Sequence, residues 1–185
     1  MHNNNLTVKI ERAISELRRG GKLIVSDINT GTCVLLVASE LIEKETIQEL
    51  SEQSLSRPSI ILSSNRSNAI GINVKNQPSS ILINKNWSIN DILSLCMPLY
   101  GYEKPLINGV ILESNKSIIS SCLLILRQAR LLPAGLMSII SNVKIENINQ
   151  WAFKNDLLHV ETNDIQSYET SNTDNLTMSV KAKVP

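Results

Sequence analysis

The chain has 185 residues, the usual length of one domain, and its 18 basic and 17 acidic residues leave a net charge of +1. No block of like charge is present, so the sequence lacks the basic footprint of a protein that binds nucleic acid or an anionic membrane surface. Apolar residues make up 42% and aromatic residues 3% of the chain. This composition excludes a disordered protein and predicts an aliphatic core.

The first half of the chain predicts a helix, a β-hairpin and further short elements. Residues 6–17 have apolar side chains at helical spacing and are followed by Gly20 and Gly21. Strands at 22–28 and 32–38 flank a turn signal, and the second strand is apolar throughout, which is typical of a strand covered on both faces. The other elements predicted up to residue 96 are a helix from Ser39 to about Gln53, strands at 58–63, 69–74 and 79–83, a loop at 65–68, and a helix capped by Ser88.

The longest apolar run, residues 117–135, predicts a buried helix at the centre of the fold. Its apolar side chains follow the i, i+3, i+4, i+7 pattern, and Leu124 adds to the far side. Pro133 and Gly135 are expected to end it, and the run is too short to span a bilayer. The remaining predicted elements are a loop at 99–104, strands at 107–112, 136–140 and 157–160, and helices around 148–152 and at 163–168.

The irregular alternation of helices and strands predicts an α+β fold in which helices cover the faces of a mixed β-sheet. From Glu169 onward the composition turns polar. We therefore expect one domain over residues 1–169 and a polar linker or tail over residues 170–185.

The three cysteines, Cys33, Cys96 and Cys122, are odd in number and lie in apolar surroundings. This pattern predicts buried free thiols in a protein of a reducing compartment. The N-terminus shows no basic region followed by an apolar one, so no signal peptide is expected. We expect the protein to be cytoplasmic.

Few side chains in the sequence offer chemistry, and the sequence has no Gly-rich phosphate loop and no Cys/His cluster with metal spacing. His159 lies on a predicted strand and is either structural or a ligand. Asp27 ends a strand, where it is either a turn residue or catalytic. Trp87 is either a cover over the core or a stacking platform. Arg127 and Arg130 are expected at a solvated helix end.

Three segments resemble one enzyme family. Residues 10–25 (IERAISELRRGGKLIV) are similar to its opening helix, glycine turn and first strand, and residues 131–136 (LLPAGL) resemble its Phe-x-Pro-Ala-Gly-Val/Leu segment. Residues 151–157 (WAFKNDL), with Asp164 and Tyr168 further on, resemble its Phe-Ala-x-x-His-x-Leu … Asp-Leu-x-x-Tyr ending. The family is 3,4-dihydroxy-2-butanone 4-phosphate synthase, an enzyme of riboflavin biosynthesis. It converts ribulose 5-phosphate to dihydroxybutanone phosphate and formate.

The chain departs from this family at the positions that the resemblance implies to be catalytic. The family's acidic loop corresponds to residues 27–33, where only Asp27 is a carboxylate. A metal-binding histidine corresponds to Ile118, and a catalytic glutamate corresponds to Ile139. The other substituted segments are those at 55–59, 81–82 and 86–87.

The resemblance therefore implies a degenerate synthase-like domain with no catalytic, cofactor-binding or metal-binding residues, which has lost the family's magnesium ligands. The segment 178–185 resembles the entry into a GTP cyclohydrolase II domain. We expect a role in riboflavin biosynthesis in support of such a domain or partner. The family also implies a homodimer, and no nucleic acid or membrane partner is expected. The alternatives are a synthase that works with substituted residues and a small sugar-phosphate binding module.

Overall fold

The computed structural model describes residues 2–97, 110–111 and 116–180, with side chains at 5–97 and 116–171. The α-helices are α1 (His2–Arg18), α2 (Lys44–Ser54), α3 (Ser64–Ala69), α4 (Ile89–Cys96), α5 (Lys116–Gln128), α6 (Ile148–Lys154) and α7 (Thr162–Val180). The strands are β1 (Leu23–Asp27), β2 (Thr32–Ala38), β3 (Ser59–Leu62), β4 (Ser79–Leu82), β5 (Val110–Ile111), β6 (Ala134–Ile139) and β7 (Leu158–Glu161). Short 3-10 helices span Ser39–Leu41 and Ile145–Asn147.

The strands in the described part of the chain form one mixed sheet in the order β5-β4-β3-β6-β2-β1-β7. The neighbouring strands are antiparallel, except that β1 and β7 run parallel, with Leu23 opposite Leu158. β1 and β2 form the predicted hairpin, in which Asp27 lies opposite Thr32. The predicted α+β fold with a mixed sheet is confirmed.

Successive residues of each strand point to opposite faces of the sheet, and each face has its own aliphatic core. The core on one face, here called the α5-side core, contains Val25 of β1 and Ile118 and Leu126 of α5. The core on the other face, the α2-side core, contains Ile24 of β1 and Leu50 of α2. Both faces are therefore covered by helices, as the continuous apolar sequence of β2 indicates.

The central helix is confirmed as α5, whose side chains are mostly buried. It ends at Gln128, earlier than predicted, because Arg130 adopts a left-handed conformation with φ of 59° and Leu131 donates its backbone N–H to the carbonyl of Leu126. Gly135, which was expected to mark the helix exit, lies instead within β6.

Two predictions for residues 65–74 were wrong. The stretch predicted as a loop is α3, which Ser63 caps by accepting a hydrogen bond from the backbone of Arg66. The Arg66 guanidinium also donates to the carbonyls of Ser94, Leu95 and Met97, at 2.7, 2.7 and 3.0 Å. These distant contacts to the end of α4 hold the polar α3 in place, and no local pattern predicts them.

The predicted strand at 69–74 is absent from the sheet. Gly71 has φ of 90°, and Ile72 donates its N–H to the carbonyl of Ser67, so the chain turns back on itself. Ile70 and Val74 are nevertheless buried, which explains the apolar pattern that resembled a strand.

Two helices differ from their predicted bounds. The helix predicted from Ser39 is a 3-10 turn followed, after a break, by α2. The last helix was expected at 163–168, but it runs to Val180 and so enters the segment predicted as a linker. The domain boundary at residue 169 stays a prediction. The predicted loop at 99–104 and most of the predicted strand at 107–112 lie outside the described residues. Of that strand, Val110–Ile111 is described, and it forms β5. Within the described ranges, no helix is long and apolar enough to cross a membrane.

Candidate functional site

The positions that the family resemblance assigns to catalysis lie on one face of the sheet. Asp27 follows Leu23 and Val25 of β1 with the two-residue period of a strand, and both of these belong to the α5-side core. Ile139 follows Met137 of β6 in the same way. Asp27 and Ile139 are therefore both on the α5 side.

These two positions also lie at the same end of the sheet. Asp27 is opposite Thr32 at the start of β2, and two residues later Val34 is opposite Ile139. The hairpin turn after Asp27 and the carboxyl end of β6 are therefore neighbours.

Ile118 of α5 belongs to the α5-side core, so it lies on the same face of the sheet as Asp27 and Ile139. Leu126 of the same helix lies against Gly135 at the start of β6. Helix α5 contacts β1, β2, β3 and β6, so it crosses the middle of the sheet on this face.

Asp27 shapes the hairpin turn. Its carboxylate accepts a hydrogen bond from the backbone N–H of Asn29 at 3.0 Å, and Thr30 Oγ1 donates to its backbone carbonyl at 3.5 Å. Only 1% of Asp27 is exposed. An aspartate that binds the backbone two residues ahead stabilises a turn without any catalytic partner.

Ile118 and Ile139, at the other two positions that the resemblance assigns to catalysis, have side chains that cannot bind a magnesium ion. Ile118 is 1% exposed inside the α5-side core, and Ile139 is 40% exposed at the end of β6. Magnesium in proteins is bound by oxygen ligands, which isoleucine lacks. Among the described residues, no three His, Cys, Asp or Glu side chains lie close enough together to hold a metal ion.

A cluster of serines joins α2 to β6 on the other face. The Ser138 Oγ lies 2.7 Å from Ser54 Oγ and 3.0 Å from Ser56 Oγ. Ser141 donates to the carbonyls of Ser54 and Leu55 at 3.1 and 3.2 Å. The hydroxyls satisfy one another, so the cluster is a structural clamp. The sequence gives no sign of it, because Ser54 and Ser56 lie more than 80 positions before Ser138 and Ser141.

His159 lies in a hydrogen-bonded chain that has the order of a nucleophile, a base and an orienting group. The Asn149 side-chain oxygen accepts from His159 Nδ1 at 2.6 Å, so Nε2 is the acceptor for the Ser26 hydroxyl at 2.8 Å. Burial, followed by the positive charge of Lys9, lowers the pKa of His159 to about 4, although Asp164 opposes this effect. The ring is therefore neutral at pH 7.

This series of hydrogen bonds is structural, because Ser26 is only 1% exposed on β1, which has a neighbouring strand on each side, and its hydroxyl cannot reach a substrate. The histidine joins β1, β7 and α6 through two hydrogen bonds. The structural interpretation of His159 is therefore the one that the geometry favours.

The remaining candidate residues lie at three different places. Trp87 is partly buried against the α2-side core and lines a crevice of about 440 Å³. Arg127 pairs with Glu169 at 3.2 Å, and Arg130 is exposed at the helix end, as expected.

All three cysteines are buried and free, as predicted. Burial raises the pKa of Cys33 to about 11 and that of Cys96 to about 12, and it raises the pKa of Cys122 further. These thiols are protonated at neutral pH, so none of them is an activated nucleophile.

The fold defines the class of protein: an α+β domain whose mixed sheet has helices on both faces and one parallel strand pair. Solved structures that match this fold include 3,4-dihydroxy-2-butanone 4-phosphate synthases. The enzyme from Candida albicans matches with a TM-score of 0.67 and 19% identity, over 86% of this chain and 96% of that chain. A two-domain synthase from A. baumannii matches with a TM-score of 0.66 and 15% identity, over 88% of this chain and 58% of that chain.

A synthase in complex with two magnesium ions also matches, with a TM-score of 0.64 and 12% identity, over 88% of this chain and 96% of that chain. At these identities the likeness establishes the fold. No protein-family model matches the chain, and no curated protein matches it either.

Proposed function

We propose that this chain is a non-catalytic member of the synthase fold that acts in riboflavin biosynthesis in support of a GTP cyclohydrolase II domain or partner. The main support is Ile118, which is 1% exposed in an aliphatic core where the resemblance places a ligand histidine. Ile139 at the glutamate position and the turn-forming role of Asp27 point the same way. Enolisation of a sugar needs a positioned base and charge stabilisation, which isoleucine cannot supply.

A formate assay tests the loss of synthase chemistry. Purified protein is incubated with ribulose 5-phosphate, with and without magnesium, beside an active synthase of the same fold. We expect no formate above the rate without protein. Magnesium-dependent turnover that disappears in Asp27→Asn would instead establish a synthase that works with substituted residues.

The proposed partner is supported by the segment 178–185, which resembles the entry into a GTP cyclohydrolase II domain. The A. baumannii neighbour, a two-domain synthase, is a precedent for this fold beside a second domain. Size-exclusion chromatography of the chain mixed with GTP cyclohydrolase II should give a joint peak. Separate elution at concentrations up to about 50 µM, well above a typical micromolar affinity, would contradict this part of the proposal.

We propose a homodimer as the oligomeric state, because the resemblance implies one. Light scattering at micromolar concentration should give about twice the chain mass of 20.5 kDa. A monomeric mass would contradict the proposed homodimer.

A further inference from the structure

A crevice of about 440 Å³ opens on the α2 side of the sheet, between α2 and the segment that joins β4 to α4. Pro58 and Ile83 line it and are buried, and Ile47 and Trp87 line it and are partly buried against the α2-side core. Its volume lies within the range of about 300–1,000 Å³ that is usual for small-molecule sites. The crevice therefore has the size and the apolar lining of a ligand pocket.

This crevice is lined by none of Asp27, Ile118 and Ile139, the positions at which the family resemblance places metal and proton-transfer chemistry. Arg57 and Trp87 do belong to two of the other substituted segments, 55–59 and 86–87. Ile83 and Ile47 belong to the α2-side core, whereas Asp27 and Ile139 lie on the opposite face of the sheet.

Positive charge surrounds the opening. Lys44, Arg57 and Lys85 line the crevice and are exposed, and among the described residues none of them belongs to an ion pair. Glu52 is the one carboxylate in the lining, which leaves three cations against one anion. The opening therefore favours an anionic ligand.

Two of these charged groups are held in place by hydrogen bonds. The Arg57 Nε donates to the carbonyl of Ile83 at 2.7 Å, which fixes the guanidinium beside the floor of the crevice. The Gln48 amide donates to Glu52 at 2.7 Å and occupies one of its carboxylate oxygens. A guanidinium fixed in this way is suited to bind a phosphate or a carboxylate.

We propose that this crevice binds a planar, anionic small molecule of mononucleotide size. The ring stacks on Trp87, and the anionic group is held by Arg57 and Lys85 at the rim, with Lys44 across the opening. Stacking on tryptophan favours a flat ring of any identity, and the fixed cation selects those rings that carry a phosphate or carboxylate. The assignment does not depend on the proposed function, because that function rests on Asp27, Ile118 and Ile139, and none of these residues lines the crevice.

Isothermal titration calorimetry with three matched probes tests the assignment on the full chain. Guanosine 5′-monophosphate has both a ring and a phosphate, guanosine has only the ring, and ribose 5-phosphate has only the phosphate. We expect saturable binding of the nucleotide and at least tenfold weaker binding of each of the other two.

Variants at the crevice separate a specific site from charge alone. Trp87→Leu and Lys85→Gln should each weaken binding of the nucleotide about tenfold, since each removes one of the two recognition elements. Lys154→Gln, an exposed lysine on α6 away from the crevice, is the matched control and should bind as the unchanged protein does. Lys85 is exposed, so its variant is expected to fold even if the tryptophan variant does not.

The proposal is overturned if the nucleotide shows no saturable binding, or if ribose 5-phosphate binds as tightly as the nucleotide. It is also overturned if Lys85→Gln and Lys154→Gln lower the affinity equally. A formate assay on the same samples reports on the proposed function independently, so the two ideas can fail separately.

Discussion

A side chain added at Gly135 would place its Cβ 2.7 Å from the carbonyl oxygen of Val37 and 3.1 Å from Leu126 Cδ1. The absence of a Cβ lets α5 lie close against β2 and β6, which gives the glycine of the Pro-Ala-Gly segment a packing role. Gly135→Ala should destabilise the domain by about 1–3 kcal/mol through overpacking, measured by urea denaturation. Gly21→Ala is the control, because the atoms it would meet belong to the flexible side chain of Glu16. Equal stability of both variants would contradict the close packing.

The central position of α5 predicts a large effect of truncating its core side chains. Leu126 is fully buried, and Leu126→Ala should lower the free energy of unfolding by about 2–5 kcal/mol. Leu124 on the same helix is only partly buried, so Leu124→Ala should cost clearly less. The two midpoints of urea unfolding give the comparison, and a larger loss for Leu124→Ala would be inconsistent with the described orientation of the helix.

The hydrogen-bonded His159 predicts a dependence of stability on pH. Its pKa is about 4 in the folded chain and 6.5 as the ordinary value. Between these values the unfolded chain binds a proton that the folded chain does not bind, so stability is fully present above pH 6.5 and is lost as the pH falls toward 4. The free energy of unfolding should fall by at most about 1.4 kcal/mol for each pH unit in this range. The actual change should be smaller, because the ring is only partly buried and solvent screens its charge.

Urea unfolding of the unchanged protein and of His159→Gln at pH 7, 6, 5 and 4 isolates this effect from the titration of carboxylates. The stability difference between the two proteins should shrink as the pH falls. Parallel curves at all four values would show that the histidine binds protons equally in both states.

Restoring one ligand should not restore the synthase. A histidine at 118 would bury a polar ring in the aliphatic α5-side core, so Ile118→His should destabilise the domain by about 1–3 kcal/mol and give no formate. Ile139→Glu, at an exposed position, should change stability by about 0.5 kcal/mol or less. Unfolding curves and the formate assay are run on both variants and on their combination. Turnover in Ile118→His alone would mean that other groups complete the site.

Much of the fold could be predicted from the sequence, because its signals are local. The hairpin, the buried α5, and the Ser88 cap of α4, which accepts from the backbone of Asp91, follow from periodicity and capping residues. The short α3 was missed because the contacts that hold it come from Arg66 to the end of α4, nearly thirty residues away. The strand at 69–74 was predicted wrongly because the apolar residues on both sides of Gly71 resemble a strand, whereas the positive φ of Gly71 forms a turn.

The candidate sites were harder to predict, because they consist of pairs brought together by the sheet. The Ser26–His159 hydrogen bond spans 133 positions along the chain, and the Ser54–Ser138 contact spans 84. Trp87 could be identified in the sequence as a candidate platform, but the cations that surround it lie on three separate segments. Only the folded arrangement of the strands and helices reveals which of these residues meet.

The parallel pairing of β1 with β7 has a consequence for synthesis of the chain on the ribosome. β1 is made within the first 27 residues, yet its second neighbour is not complete until Glu161 has emerged. Until then the hairpin presents an unpaired edge whose residues Leu23, Ile24 and Val25 are all apolar. Such an edge is a template for pairing with another chain. A nascent or truncated chain that stops before residue 158 should therefore be prone to aggregation and a client of chaperones, even though its hairpin and most of its helices are already present.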